Sequence, residues 1–301
     1  MLEFRDRISV PNLDDNSIIL DIETTGVSRT DSSVIIVGII DSSGNIMQFA
    51  IDNIEEEAQL LKTVKPHLDN RDIITYNGQS FDIPFLKSRY EFFNMESFEK
   101  NSQFDIYRYF ITNRLITDIE TFNLQDIEKY FTIDRFENFE FEKDRDIYKD
   151  LNNIDLEKIL LHNKYDIVNT YKVFEKIETI EDKKKFSIEN TDFYIQSINI
   201  DKNFLELNIH TKNLEIDHFY QNKNYKLEWT RDVLKIKLKI IKGYIADNVF
   251  GYVHILDTNL ENIDNKDYNL PKNIAIVFDK RYFIENIKEI VKYLIQKCIN
   301  L

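Results

Sequence analysis

The stretch at residues 17–26, SIILDIETTG, constrains the rest of the chain most. Ile18, Ile19 and Leu20 form a short apolar run that reads as a buried strand, and Thr24-Thr25-Gly26 ends it. Side chains on a strand alternate faces, so Asp21 and Glu23 project together while Ile22 points back into a core. Two carboxylates side by side at the end of a buried strand repel each other and are costly to desolvate. A divalent cation removes that cost, and hard oxygen ligands suit Mg²⁺ or Mn²⁺. The plainer alternative is a strand that stops in a solvated polar turn. Further carboxylates arriving at the same place would decide between the two.

The pattern that follows is α/β. Residues 33–41 (SVIIVGIID) and 46–51 (IMQFAI) read as two more strands, and Ser42-Ser43-Gly44-Asn45 joins them as a hairpin. Helical spacing covers residues 55–68 and 81–93, with a fourth strand at 71–77 between them. Residues 104–110 are a fifth strand or a strand-to-helix step, 123–131 a short helix, 132–153 irregular and charged, and 156–177 a long helix. This order predicts a mixed five-stranded sheet flanked by helices, the pattern of a ribonuclease-H-like fold among others. Polar residues 179–190 read as a boundary, which divides the chain into domains at 1–180 and 190–301. Beyond the boundary, residues 193–200, 204–209, 225–229 and 233–241 alternate with period two. Further strands are expected at 252–256 and 274–278, and an amphipathic helix at 283–299 closes a smaller, mostly β domain of no assigned type.

Composition removes several classes. The single cysteine, Cys298, excludes an internal disulfide and any multi-cysteine zinc site. Residues 1–10 carry charges without an apolar centre, unlike a signal peptide, and runs such as Val34-Ile35-Ile36-Val37 are too short to span a bilayer. A soluble cytoplasmic protein with no membrane partner is expected. Net charge is −14, which argues against a sequence-independent nucleic-acid coat protein. From Phe186 onward there are 16 basic and 16 acidic residues, so the excess acid lies wholly in the first part.

That first part supplies two more carboxylates. In Tyr76-Asn77-Gly78-Gln79-Ser80-Phe81-Asp82, Gly78 is expected to permit the turn, and Asp82 falls in the first turn of the next helix. Crossover geometry brings it to the sheet edge that holds Asp21 and Glu23. Alone, Asp82 reads more simply as a helix-start carboxylate that complements the dipole. On the long helix, His162 and Asp166 stand at i and i+4 and share one face. Alone, they read as a surface ion pair or a core histidine. Together, Asp21, Glu23, Asp82 and Asp166 could converge on two metal ions roughly 3.5–4 Å apart, which can activate a water and stabilise the leaving oxygen in phosphodiester hydrolysis. His162 would then be the general base.

The ordered set DIETTG, YNGQSFD and HNKYD resembles the three motifs of DEDD-type 3′→5′ exonucleases of the ribonuclease-H-like superfamily, and within them the YprB-like branch. Phe104-Asp105-Ile106 and the stretch from NLQDIEKYF to Arg135 also look like that branch. The resemblance spans roughly residues 14–177. It implies that Asp21, Glu23, Asp82 and Asp166 hold metal, that His162 stands beside the attacking water, and that Ile22, Thr24, Asn77 and Phe81 hold the terminal nucleotide. One departure stands out. Histidine-type members separate His from Asp by four residues and tyrosine-type members separate Tyr from Asp by three. Here a histidine, His162, stands at the tyrosine spacing from Asp166.

Between residues 223 and 244, seven basic residues face only Glu228 and Asp232. Lys235, Lys237 and Lys239 alternate with apolar residues, and Trp229 lies close in sequence, so this strand is a candidate to guide single-stranded nucleic acid. The alternative is a solvated outer face or a lysine-protected edge. The expectation is a metal-dependent 3′→5′ exonuclease acting on single-stranded 3′ ends of DNA or RNA with two Mg²⁺ or Mn²⁺ ions. A nuclease fold retired to nucleic-acid binding or scaffolding, or an oligonucleotide-clearing phosphoesterase, stands as an alternative. Protein partners are unassigned.

Overall fold

The computed structural model describes residues 1–135, 156–212, 217–265 and 268–299. Contacts gather these into two compact units, residues 1–112 with 119–176, and residues 113–118 with 177–301.

The first unit is built on a sheet of six strands: β1 (Leu2–Arg7), β2 (Ser17–Thr24), β3 (Val34–Asp41), β4 (Asn45–Ala50), β5 (Asp72–Thr75) and β6 (Ser102–Asp105). Their order is β1-β4-β3-β2-β5-β6. The first four run antiparallel to their neighbours, while β5 and β6 run parallel to β2. The sequence pattern predicts five of these strands and misses β1. All six residues of β1 are exposed, so no burial period is written into them. Pairing with β4 and an ion pair between Asp6 and Lys164 hold the strand in place.

Strand β3 is buried from Val34 to Ile40, because a central strand covered on both faces needs apolar side chains throughout. Helices α1 (Glu57–Leu68) and α2 (Asp82–Phe92) pack Leu60, Leu61, Val64, Phe85 and Leu86 into the same core. Short helices α3 (Ile106–Thr112) and α4 (Leu124–Tyr130) follow. Helix α5 (Leu156–Lys183) brings Ile159 and Leu160 to the sheet. It runs past the predicted end at 177 because Ile180 is itself buried. Most of the segment read as irregular, 132–153, lies outside the described residues.

The second unit contains an antiparallel six-stranded sheet, β10-β11-β12-β9-β8-β7, from β7 (Lys185–Ile188), β8 (Thr191–Asp201), β9 (Phe204–His210), β10 (His218–Gln221), β11 (Tyr225–Thr230) and β12 (Val233–Lys239). A three-stranded sheet of β13 (Ile241–Ala246), β14 (Val249–Ile255) and β15 (Ile274–Phe278) follows, then helix α6 (Ile284–Ile299). Leu205, Leu207, Trp229, Leu234 and Ile236 share a core with Ile287, Val291 and Leu294 of α6. The β-rich unit with a closing helix matches the expectation. Strands β7, β10 and β13 add to it. Among the described residues, no helix is long and apolar enough to cross a membrane.

Candidate functional site

The site starts from a mismatch in strand length. Strand β2 pairs with β5 from Ser17 to Ile19 only, β5 ends at Thr75, and β2 continues to Thr24. Past that point the β5 side of β2 lacks a strand partner, and Asp82 supplies one. Its Oδ1 accepts the Ile22 N–H at 3.0 Å. Asp82 is 4% exposed and opens α2, as the sequence predicts. The turn before it is made differently from the prediction. The left-handed residue is Asn77, at φ 63°, and not Gly78. A Cβ on Gly78 would lie 2.5 Å from the Thr75 side chain, so glycine is needed for close packing. The carboxylate of Asp105, at the end of β6, accepts the N–H groups of Asn77 at 3.1 Å and Gln79 at 2.9 Å and fixes the loop.

Asp21, Gly38 and Gln48 sit in register on three adjacent strands, β2, β3 and β4. Asn163 of α5, fully buried, lies against this row. Its Nδ2 donates to Asp21 Oδ2 at 2.8 Å, and its Oδ1 accepts from Gln48 Nε2 at 2.8 Å. The same Gln48 nitrogen donates to the Leu160 carbonyl at 2.8 Å. A Cβ on Gly38 would stand 2.2 Å from Asn163 Oδ1, so only glycine lets the helix come this close. Neither Asn163 nor Gly38 was singled out from sequence. The available signal was a glycine inside an otherwise unbroken apolar strand.

One turn further along α5, Asp166 divides its two oxygens. Oδ2 faces His162 Nε2 at 3.5 Å, and Oδ1 accepts from Arg135 Nη2 at 2.5 Å. Arg135 is itself gripped by Glu128 of α4, with Nε to Oε2 at 2.9 Å and Nη2 to Oε1 at 2.6 Å. Glu128 is buried. Glu23, His162 and Asp166 each place one ligand atom within 4.8 Å of the others.

The electrostatics tie the set together. Burial pushes the Asp21 carboxyl well above the usual range, the charges of Asp82, Asp166 and Glu23 push it further, and the Asn163 amide opposes them. Burial raises Asp82 to about 7, against the pull of its own N–H and that of Ile22, with Asp105 and Asp166 adding to the rise. Two carboxyls, Asp21 and Asp82, raised by burial and by neighbouring carboxylates mark a strongly negative centre, and a divalent cation there would reverse the shift. The all-oxygen donors, with one imidazole at the rim, fit Mg²⁺ or Mn²⁺. Asp21, Glu23, Asp82 and Asp166, drawn from β2, α2 and α5, are therefore brought together.

The residues expected to hold a nucleotide fare unevenly. Ile22 is buried and its N–H is committed to Asp82, so that group is not free for substrate. Thr24 donates its hydroxyl to the Gly26 carbonyl at 2.7 Å. The Asn77 side chain is exposed, and Phe81 is partly buried against Phe85. The loop after β2 reaches the second motif through Arg29, which donates to the Ser80 carbonyl at 2.7 Å.

In the second unit, Trp229 corrects the expectation. It is 0% exposed, packed edge-on to Phe193 in the core, and cannot stack on a base. The lysine row does lie on the outer face, but it is laced with acid. Lys237 pairs with Glu206 at 2.7 Å, Lys226 pairs with Glu228 at 2.7 Å, and Lys235 stands in register with Glu228 and Asn208. Lys239 is exposed opposite Phe204.

The fold and the acidic centre agree with what the family comparison finds. Residues 18–178, more than half of the chain, match the RNase_H_2 family, described as RNase_H superfamily, and the chain belongs to it. Among solved structures, the chain is similar to Brucella melitensis NrnC, at 18% identity and TM-score 0.41, covering 57% of this chain and 78% of that one. NrnC with bound Mg²⁺ aligns at 17% identity and TM-score 0.31, over 56% of this chain and 87% of that one. Overlap this limited carries no information about chemistry. No curated protein matches the sequence.

Proposed function

We propose that the first unit is a divalent-cation-dependent 3′→5′ exonuclease of the DEDD type, of the YprB-like branch, that hydrolyses phosphodiester bonds at single-stranded 3′ ends of DNA or RNA. The observation that carries this reading is the convergence of negative charge on buried Asp21, on which Asp82 of α2, Asp166 of α5 and Glu23 of the same strand all act. Membership of the RNase H superfamily supports it. Asp21, Glu23, Asp82 and Asp166 would hold the cations. When bound, two such ions supply water activation and neutralise the leaving oxygen. Asn163 holds Asp21 in its orientation from the helix side, and Asp82 is held by the Ile22 N–H. His162 Nε2 would take the water's proton, with the Asp166 carboxylate 3.5 Å away to stabilise the imidazolium. Asn77, Phe81 and Thr24 are proposed to meet the terminal nucleotide. A retired site is disfavoured, since four repelling carboxylates cost stability and serve nothing without a cation.

The grouping of Glu23, His162 and Asp166 favours a second role for His162, as a ligand in its own right. Purified protein with Mn²⁺ or Mg²⁺ on end-labelled DNA and RNA oligonucleotides tests the proposal. Stepwise shortening from the 3′ end is expected, lost in chelator and in Asp21→Asn or Asp166→Asn. Shortening that persists in both variants would refute it. His162→Ala separates the two roles of the histidine. A base loses about a hundredfold in rate with cation affinity unchanged, whereas a ligand loses affinity as well.

A further inference from the structure

Ser80 stands between two arginines. Arg29, in the loop after β2, donates from Nη2 to the Ser80 carbonyl at 2.7 Å, and Arg108, on α3, approaches the Ser80 hydroxyl from Nη2 at 3.4 Å. All three residues are exposed. A guanidinium carries five N–H donors in a rigid plane, and each of these two spends one on Ser80. Among the described residues neither forms an ion pair, although the chain before Phe186 carries the whole acidic excess. Arg89 and Arg135 of the same unit are, by contrast, each locked onto a glutamate. Asp105, the carboxylate bonded to this loop, is taken up by the backbone N–H groups of Asn77, Gln79 and Arg108, at 3.1, 2.9 and 3.3 Å. Ser80 lies two residues before Asp82, so no more than about 7 Å of chain separates the two.

We infer that Arg29 and Arg108 form a phosphate clamp that takes a phosphodiester group upstream of the bond to be cut. The inference rests on the proposed exonuclease and deepens it by assigning a site for the part of the strand that does not react. An enzyme that works from the 3′ end has only upstream phosphates to hold besides the scissile one. The unspent N–H groups of the two guanidinia match phosphate oxygens in the bidentate geometry that arginine favours. An anionic strand must approach a negative centre, and two positive charges beside it offset that repulsion. Phosphate contacts leave the bases unread, so the clamp takes DNA and RNA alike. The plainer alternative is that both arginines only brace the Ser80 loop and, through it, Asp82.

The test is the shortening of end-labelled oligonucleotides by the full chain in Mn²⁺, with kcat and KM read separately. Arg29→Gln/Arg108→Gln should raise KM about tenfold and leave kcat within about twofold, since the clamp holds a phosphate that does not react. The slope of log KM against log salt should shrink by about 1.4, the share of two phosphate contacts on a single strand. Arg29→Lys/Arg108→Lys keeps both charges and should recover part of the loss. Neutral methylphosphonates, placed singly at the three phosphates upstream of the scissile bond, find the one that is held. At one of them the wild type should lose about tenfold in KM, and the glutamine variant should lose nothing further. A bracing role would instead lower kcat, weaken Mn²⁺ binding in calorimetric titration of the glutamine variant, and leave the methylphosphonate penalty as large as in wild type. That result overturns the clamp, as does a wild-type KM indifferent to all three methylphosphonates. A glutamine variant equal to wild type in KM and salt slope overturns the clamp alone, and the exonuclease reading stands. No shortening by the wild type in either Mn²⁺ or Mg²⁺ defeats the exonuclease reading and the clamp with it.

Discussion

Asn163 and Gly38 work as one device. The amide takes the space a Cβ would fill and ties Asp21 to Gln48 across it. Gly38→Ala should cost about 1–3 kcal/mol, the usual scale for overpacking. Asn163→Ala should cost about as much, since Asp21 Oδ2 loses its donor and Gln48 keeps only its bond to the Leu160 carbonyl. The double variant should lose less than the sum, since each change makes room for or excuses the other, and urea denaturation of all three reads the coupling. Asp82 makes a second prediction, about pH. Its folded-state value near 7 lies above its ordinary 3.8, so the folded chain holds that proton more tightly than the unfolded one. The stabilising contribution is therefore complete below about pH 4 and is lost as pH rises through 7. In chelator, wild-type melting temperature should fall between pH 5 and 8. Asp82→Asn should flatten that fall and be more stable at pH 8 by roughly 2–4 kcal/mol. A parallel fall in both proteins would show that Asp82 carries no such strain.

Among the elements, α1, α2 and the start of β3 meet at a buried ion pair. Glu57 takes Arg89 Nε at 2.8 Å and Nη2 at 2.7 Å, and also the Val34 N–H at 2.9 Å. The two side chains are 0% and 4% exposed. Arg89→Met should cost about 3–5 kcal/mol, because Glu57 is left charged in the core, and Glu57→Gln in that background should recover part of it. Chemical denaturation is the measurement. In the sequence Glu57 is one of three successive glutamates at 55–57, and spacing says nothing about a partner 32 residues away. The same limit explains other gaps. Strands β2 to β5 were legible because burial wrote their alternation or their solid apolar runs, whereas of the stretch read at 104–110 only 104–105 belong to β6 and the rest is α3. Exposed β1 left no such trace. Short β7 and β10 lack a buried apolar pair such as Ile73-Ile74, which marks the equally short β5. Trp229 was misread because its lysine neighbours suggested a surface, whereas alternation places a tryptophan between Glu228 and Thr230 on the inner face. The four carboxylates were legible as a set because Asp21 and Glu23 alternate on one face of β2, Asp82 opens α2, and Asp166 shares a face of α5 with His162. The residues that hold them in place, Asn163, Asp105 and Arg135, act through tertiary contacts and left only faint marks.

For the whole molecule, the second unit takes residues 113–118 from far upstream. The Leu115 carbonyl accepts the Tyr282 N–H at 2.7 Å, and Asp118 pairs with Arg281. A fragment of residues 177–301 lacks both partners, so its unfolding midpoint should lie below that of the same unit in the intact chain. Hydrogen exchange at the Tyr282 amide locates the loss, and full protection in the fragment would show that the short segment contributes nothing. The chain thus passes from one unit to the other at 112, at 118 and again within α5 at 176. A genetic crossover at any one point would break one unit or strip a piece from the other. Neither unit is thus a contiguous stretch that one cut could free whole, and the first alone would need a new join where residues 113–118 now leave it.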